Sequence, residues 1–140
     1  SQKVLDGFCK GIDLKIAQKV LENLKHAGIA VYVYLLFGTP WETESDAEKT
    51  LDFTVRNSEA VTFLNLAIFN LPAFGPQIDA LDTMPLDRGD MFLYRRFEHP
   101  KGWHRQHIRR FLDKKFRRHR CLPPTMQHFL HRPCYKAIRR

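Results

Sequence analysis

Residues 29–37, I-A-V-Y-V-Y-L-L-F, followed at once by Gly38-Thr39-Pro40, carry the reading of the fold. The run is β-branched and aromatic, nearly continuous in apolar residues and of strand length, which predicts a strand covered on both faces. Gly38 and Pro40 break it. Upstream, Leu14, Ile16, Ala17, Val20, Leu21 and Leu24 recur at spacings of three and four, with Lys15, Lys19, Glu22 and Lys25 on the other side. That periodicity predicts an amphipathic helix begun at Asp13 and stopped at Gly28, packing one stripe against something flat. A helix joined to a strand by so short a turn is the connection found in βα units. Ser1 is placed to cap a shorter helix carrying Val4, Leu5 and Phe8, with Gly11 to end it.

Downstream the alternation continues. Thr43 to Asp46 has the form of a capping box, and a third helix follows through Ala47, Leu51, Phe53, Thr54 and Val55 as far as Asn57-Ser58. Residues 60–69, A-V-T-F-L-N-L-A-I-F, read as a second buried strand interrupted by Thr62 and Asn65. A polar Asn65 there needs partners: a hydrogen bond to neighbouring backbone, or a place in a pocket lining. Alternating helices and strands predict a parallel α/β sheet or barrel. In such a sheet the loops after the strands form the binding face. Gly38-Thr39-Pro40 and Phe69-Asn70-Leu71 are then expected side by side on one rim, with Gly38 allowing close approach of a ligand and strand-end amides free to pair with the edge of a base. A tight turn is the plainer reason for Gly38 and Pro40. The acids Glu42, Glu44, Asp46 and Glu48 suit the positive end of the third helix.

From 70 to 89 turn formers dominate, predicting a loop with one short helical turn that covers a sheet edge; residues 91–97 read as either a short strand or a helix. Residues 103–119 read as an amphipathic helix, with Ile108, Phe111, Leu112 and Phe116 on one side and Arg105, Arg109, Arg110, Lys114, Arg117 and Arg118 around the rest. Leu122-Pro123-Pro124 ends it. A last helix is expected from Thr125 through Met126, Phe129 and Leu130, kinked at Pro133.

Charge divides the chain. Residues 95–140 hold 15 Lys and Arg against only Glu98 and Asp113, whereas residues 1–94 hold 8 against 13 acids, within a formal net charge of +8. No apolar run of about 18 residues could span a bilayer, and nothing at the start has the form of a signal peptide, so a cytoplasmic location is expected. The start at Ser1, without Met and directly in a helical pattern, suggests a chain beginning inside a longer protein. Cys9, Cys121 and Cys134 are too widely spaced for a disulfide framework or a C-x₂-C metal site and read as reduced thiols. The spacings of Cys121 and Cys134 to His119, His128 and His131 match no zinc pattern. Phosphate-loop, dinucleotide, zinc-hydrolase and G-x-S-x-G signatures are all absent from the sequence.

The ordered succession S-Q-K-V-L-D-G-F-C-K-G-I-D, L-K-H-A-G-I and L-L-F-G-T-P-W-E-T-E-S-D-A-E-K-T, between Ser1 and Thr50, resembles the second half of the radical S-adenosylmethionine (radical SAM) catalytic domain. The members it is most similar to often carry a cobalamin-binding domain. The resemblance covers roughly residues 1–76. It implies an α/β fold: a partial parallel (β/α) barrel, a TIM-like half barrel, over residues 1–76, followed by a linker and a mostly helical basic C-terminal extension over residues 77–140. It further implies S-adenosylmethionine and a four-iron four-sulfur cluster in the full-length protein, with cobalamin as a possible addition. Under the resemblance Ser1 follows the family's fourth-strand Glu-Ser-Gly motif beside the cofactor, Leu36 and Gly38 lie against the adenine, and Phe69, Asn70 and Leu71 offer backbone to it. The family's C-x₃-C-x₂-C is missing, as are the first barrel strands, and Trp41 stands where the family often has Gly. The resemblance therefore implies a segment that contributes to a cofactor and substrate pocket without being catalytically complete, its partner being the missing N-terminal half of the barrel.

The basic region admits two readings. Its cations, interleaved with Phe97, Trp103, Phe111, Phe116, Phe129 and Tyr135, could form a surface for RNA or another polyanion. Alternatively Ile108, Phe111, Leu112 and Phe116 pack on the barrel while the basic side chains lie along its surface.

Overall fold

The computed structural model describes residues 1–74, 81–85 and 93–122. The element order is α1 (Gln2–Gly7), α2 (Leu14–His26), β1 (Tyr32–Phe37), α3 (Glu44–Arg56), a 3₁₀ turn (Ser58–Ala60), β2 (Phe63–Ile68), β3 (Leu71–Pro72), β4 (Thr83–Pro85), β5 (Tyr94–Phe97) and α4 (Arg105–Phe111) running into a π turn (Leu112–Phe116). The chain is thus α/β. The last helix expected from Thr125, and Cys134, lie outside the described residues.

Local chemistry sets the helix boundaries. Asp13 accepts hydrogen bonds from the amides of Lys15 (2.7 Å) and Ile16 (3.1 Å) and so caps α2, and Gly28, at φ +69°, turns the chain out of it. At α3 the Thr43 hydroxyl accepts from the Asp46 amide at 3.3 Å, while the Asp46 carboxylate accepts from the Thr43 amide at 3.2 Å, the reciprocal capping box. Ser1 stands at the N-cap of α1 without capping it. Its hydroxyl donates to Asp46 at 2.9 Å instead, tying the start of the chain to α3.

β1 and β2 pair in parallel, with Val33 opposite Leu64, Leu35 opposite Leu66 and Phe37 opposite Ile68. Because side chains alternate along a strand, these six share one face, and that face is the covered one. On it sit Ala47 and Leu51 of α3 and, from the far end of the sequence, Trp103, Ile108, Phe111, Leu112 and Phe116. The Phe37 ring lies 5.5 Å from Phe116 and 6.2 Å from Phe111, both fully or nearly enclosed. The apolar side of the basic region therefore completes the same core as β1 and β2.

Several expectations change. The opposite face of the parallel pair carries Tyr32, Tyr34, Leu36, Phe63, Asn65 and Ala67, and Tyr34 remains 64% exposed, so β1 is covered on one face and not on both. The two strands form an open sheet, and no closed barrel is present among the described residues. In α2 the half-buried line is Leu14, Ala17, Leu21 and Leu24, and Ile16 and Val20 point away from it into solvent. The stretch expected as loop and linker supplies β3 and β4, which flank β5 in an antiparallel three-stranded sheet, with Leu71 opposite Arg95 and Met84 opposite Arg96. The helix expected over residues 103–119 begins at Arg105 and leaves α geometry at Leu112, where the Arg117 amide reaches the Leu112 carbonyl five residues back at 2.9 Å.

Candidate functional site

The parallel strands end together. The Phe69 amide donates to the Phe37 carbonyl at 2.7 Å, so the loops after β1 and β2 leave side by side, as expected of one rim. Aromatic rings bind the rim into a unit. Phe8, just past α1, meets Trp41 at 4.9 Å and Phe69 at 5.8 Å, and Phe69 meets Phe97 of β5 at 5.9 Å. Trp41 lies so close over Gly7 that a β-carbon there would stand 2.8 Å from its ring, which defines the shape of the loop at the position where the resembled family often has glycine.

Glu42 holds the loop after β1 from within. Only 1% exposed, its Oε2 accepts from the Gly38 amide and, at 3.1 Å, from the Trp103 indole. Burial pushes its carboxyl up to about 7, against these two donors, which favour the ionised form. Glu42 is therefore a buried tie between β1 and the segment before α4, not one more acid at a helix start. Asp46 behaves as the helix start requires: burial alone would raise it, yet hydrogen bonds from Thr43 and Ser1 hold it down at about 2. His99 is the second tie. Its Nδ1 accepts from the amides of Lys101 (3.2 Å) and Trp103 (3.3 Å), which leaves the proton on Nε2 to donate to the Thr39 carbonyl at 2.8 Å. Burial lowers its pKa, in keeping with a neutral ring.

Beside these ties opens a groove of about 930 Å³. Its floor includes Gly38, Ile68, Phe69 and Leu71; Asn70, Arg95, Arg105 and Arg109 are among its polar walls. The Asn70 side-chain oxygen accepts from Arg105 at 2.9 Å. Of the residues singled out from the sequence, Gly38, Phe69, Asn70 and Leu71 are brought together here, whereas Ser1 sits against Asp46 and Leu36 lies on the exposed face of β1. Gly38 adopts φ +78°, and a β-carbon there would overlap Ile108 Cδ1, so the close approach that glycine permits is made by α4. The Gly38 amide is held by Glu42 and the Phe69 amide by Phe37, which corrects the expectation of free strand-end amides at these two positions. Neither amide fits a role in pairing with adenine in this conformation. Asn65 is half-buried opposite Tyr34, and among the described residues its side-chain oxygen has no hydrogen-bond partner, neighbouring backbone included.

Among the described residues no three His, Cys, Asp or Glu side chains converge as a metal-binding group, and no helix is long and apolar enough to cross a membrane. Cys9 and Cys121 are free and exposed. The sequence signalled the rim through Gly38 and the strand ends. It did not signal the ties of Glu42 to Trp103, of His99 to Thr39 or of Arg105 to Asn70, because each joins elements about 35 to 60 residues apart. Compared with protein-family models, curated proteins and solved structures, the chain matches none.

Proposed function

We propose that this chain is a cytoplasmic segment of a radical SAM enzyme, the fifth- and sixth-strand part of its (β/α) barrel with a basic extension packed behind it. In this reading its rim faces the S-adenosylmethionine and substrate pocket, and the cluster-binding cysteines and remaining strands are supplied by the N-terminal half of the parent protein. The observation that carries the reading is the one-sided parallel pair. β1 and β2 bury Leu35, Phe37, Leu64 and Leu66 under helices, while Tyr32, Tyr34, Leu36 and Phe63 face outward uncovered, as the inward side of a barrel would when its other strands come from elsewhere. The motif succession between Ser1 and Thr50 points the same way. Bound S-adenosylmethionine, reduced by a cluster, would supply radical chemistry; this chain's own residues shape the rim, with Glu42 and His99 anchoring the loop after β1. Because Glu42 and Ile108 take up the Gly38 amide and the space before it, adenine contact at Gly38 is not part of the proposal.

Anaerobic reconstitution of the complete parent protein tests this. Iron and sulfide uptake, followed by 5′-deoxyadenosine formation from S-adenosylmethionine and reductant, is the expected result; a parent without C-x₃-C-x₂-C ahead of this segment, and without cleavage, overturns it. The second reading, a non-catalytic module binding RNA or another polyanion, is favoured by the exposed Arg and Lys side chains of α4 and the turns after it. It requires affinity for oligonucleotide that falls steeply as salt rises.

A further inference from the structure

Four arginines line the groove, Arg96 among them, beside one carboxylate, Glu98, which lies 3.7 Å from His104; three of the four, Arg95, Arg105 and Arg109, come from two separate elements. Arg95 stands in the central strand β5 directly opposite Leu71, and Arg105 reaches from α4 to Asn70, so both flank the Asn70-Leu71 step. Arg109 follows one turn later in α4 and lies near enough to Arg105 to act on it: partial burial first, then the neighbouring Arg109 charge, lowers the Arg105 guanidinium below its ordinary value. Among the described residues, no carboxylate lies in ion-pair range of any of the three; the observed pairs join Lys25 to Glu59, Lys49 to Asp46, His104 to Glu98, Lys115 to Glu48 and Arg117 to Asp113. Arg95 adds a sharper signal. Its Nε is buried and has no hydrogen-bond partner among the described residues. A buried guanidinium N–H without an acceptor is costly, and most buried polar groups have a partner; a ligand oxygen reaches this one only if the side chain turns toward the groove.

We infer that the groove binds the oxyanion of a small organic substrate, a carboxylate or a phosphate ester, held by Arg95 on one side and the Arg105–Arg109 pair on the other. Guanidinium groups suit this because their planar N–H forks match two oxygens of a carboxylate or phosphate at once. The rest of the ligand lies on the apolar floor of Ile68, Phe69 and Leu71. A volume of about 930 Å³ falls in the range of small-ligand sites, roughly 300–1,000 Å³. The inference rests on reading this rim as a substrate face and names the substrate's chemistry; it does not depend on the cluster or on S-adenosylmethionine.

The test is isothermal titration of the full 140-residue chain with inorganic pyrophosphate and, separately, with citrate. Arg105→Gln/Arg109→Gln is compared with Arg118→Gln/Arg120→Gln, which removes the same charge from exposed positions outside the groove. Saturable binding of at least one probe is expected. Loss of charge-assisted contacts should weaken it about ten-fold per arginine in the groove variant, and less than about two-fold in the control, where only the long-range field changes. Asn70→Asp, isosteric and exposed, sets a carboxylate beside Arg105 and is expected to weaken the same probe by competing for it. Tighter binding of pyrophosphate assigns a phosphate ester; tighter binding of citrate assigns a carboxylate. Circular dichroism of each variant confirms that the fold is retained. Failure of both probes to saturate, or equal weakening in the groove and control variants, overturns the inference. So does binding of a twelve-nucleotide oligouridine alone, lowered equally by both double variants. Because this titration needs no cofactor, its failure is separate from a failure of the parent protein to cleave S-adenosylmethionine.

Discussion

Replacing Glu42 by glutamine should remove a pH dependence of stability that the buried carboxyl imposes on the whole chain. In the folded protein the carboxyl titrates at about 7, against 4.5 for the same group in an unfolded chain. Between these values the folded state holds a proton that the unfolded state has released, so rising pH favours unfolding across the window. Above about 7 both states are ionised and the effect levels off. Integrated between about pH 5 and pH 8, the wild-type chain loses about 2.5 kcal/mol from this group alone, an order-of-magnitude figure. Glutamine keeps an oxygen acceptor for the Gly38 amide and the Trp103 indole, and it cannot titrate. His99 works in the opposite sense. Its folded pKa is lowered, so its contribution grows as pH rises toward 6.5. Subtracting the Glu42→Gln stability from that of the wild type at each pH cancels His99 and the other groups common to both. The assay is urea unfolding followed by the fluorescence of Trp41 and Trp103 at half-unit steps from about pH 5 to pH 8. The wild-type advantage over Glu42→Gln should shrink, and then reverse or level off, as pH rises. A difference that is flat across the range, or that grows with pH, refutes the reasoning that burial outweighs the two hydrogen bonds.

Two further perturbations examine the rim and the core. Gly38→Ala should cost about 3 kcal/mol in urea unfolding, combining left-handed backbone strain with overpacking against Ile108; Ile108→Val removes the overlapping methyl and should restore part of the loss in the double variant. Phe116→Ala empties a fully enclosed site beside Phe37 and Phe111, and should cost about 3–5 kcal/mol. Tyr34→Ala on the exposed face should cost within about 0.5 kcal/mol, and equal costs for the two would place residues 112–116 outside the core.

The sequence alone determined the elements whose forces are local. The Asp13 cap, the Thr43–Asp46 capping box, the three- and four-residue spacing of α2 and the β-branched runs of β1 and β2 each act over a few residues, so each was legible, and so was the single rim at the ends of the two strands. Ile108, Phe111, Leu112 and Phe116 were legible as one apolar side of a helix. That they close over Phe37 and Ala47 depends on long-range packing, which a periodic pattern does not specify. The sheet of β3, β4 and β5 escaped because strands of two to four residues carry little periodicity, and their pairing partners are remote in the chain. A continuous apolar run such as residues 29–37 states that a strand prefers burial, but not whether two covering layers are present; only the tertiary structure left Tyr32 and Tyr34 uncovered. The groove belongs to the same class of fact. Arg95 and Arg105 become neighbours of the Asn70-Leu71 step only when β5 pairs with β3 and α4 settles on Gly38, and charge placed by folding cannot be read from charge counted along the chain.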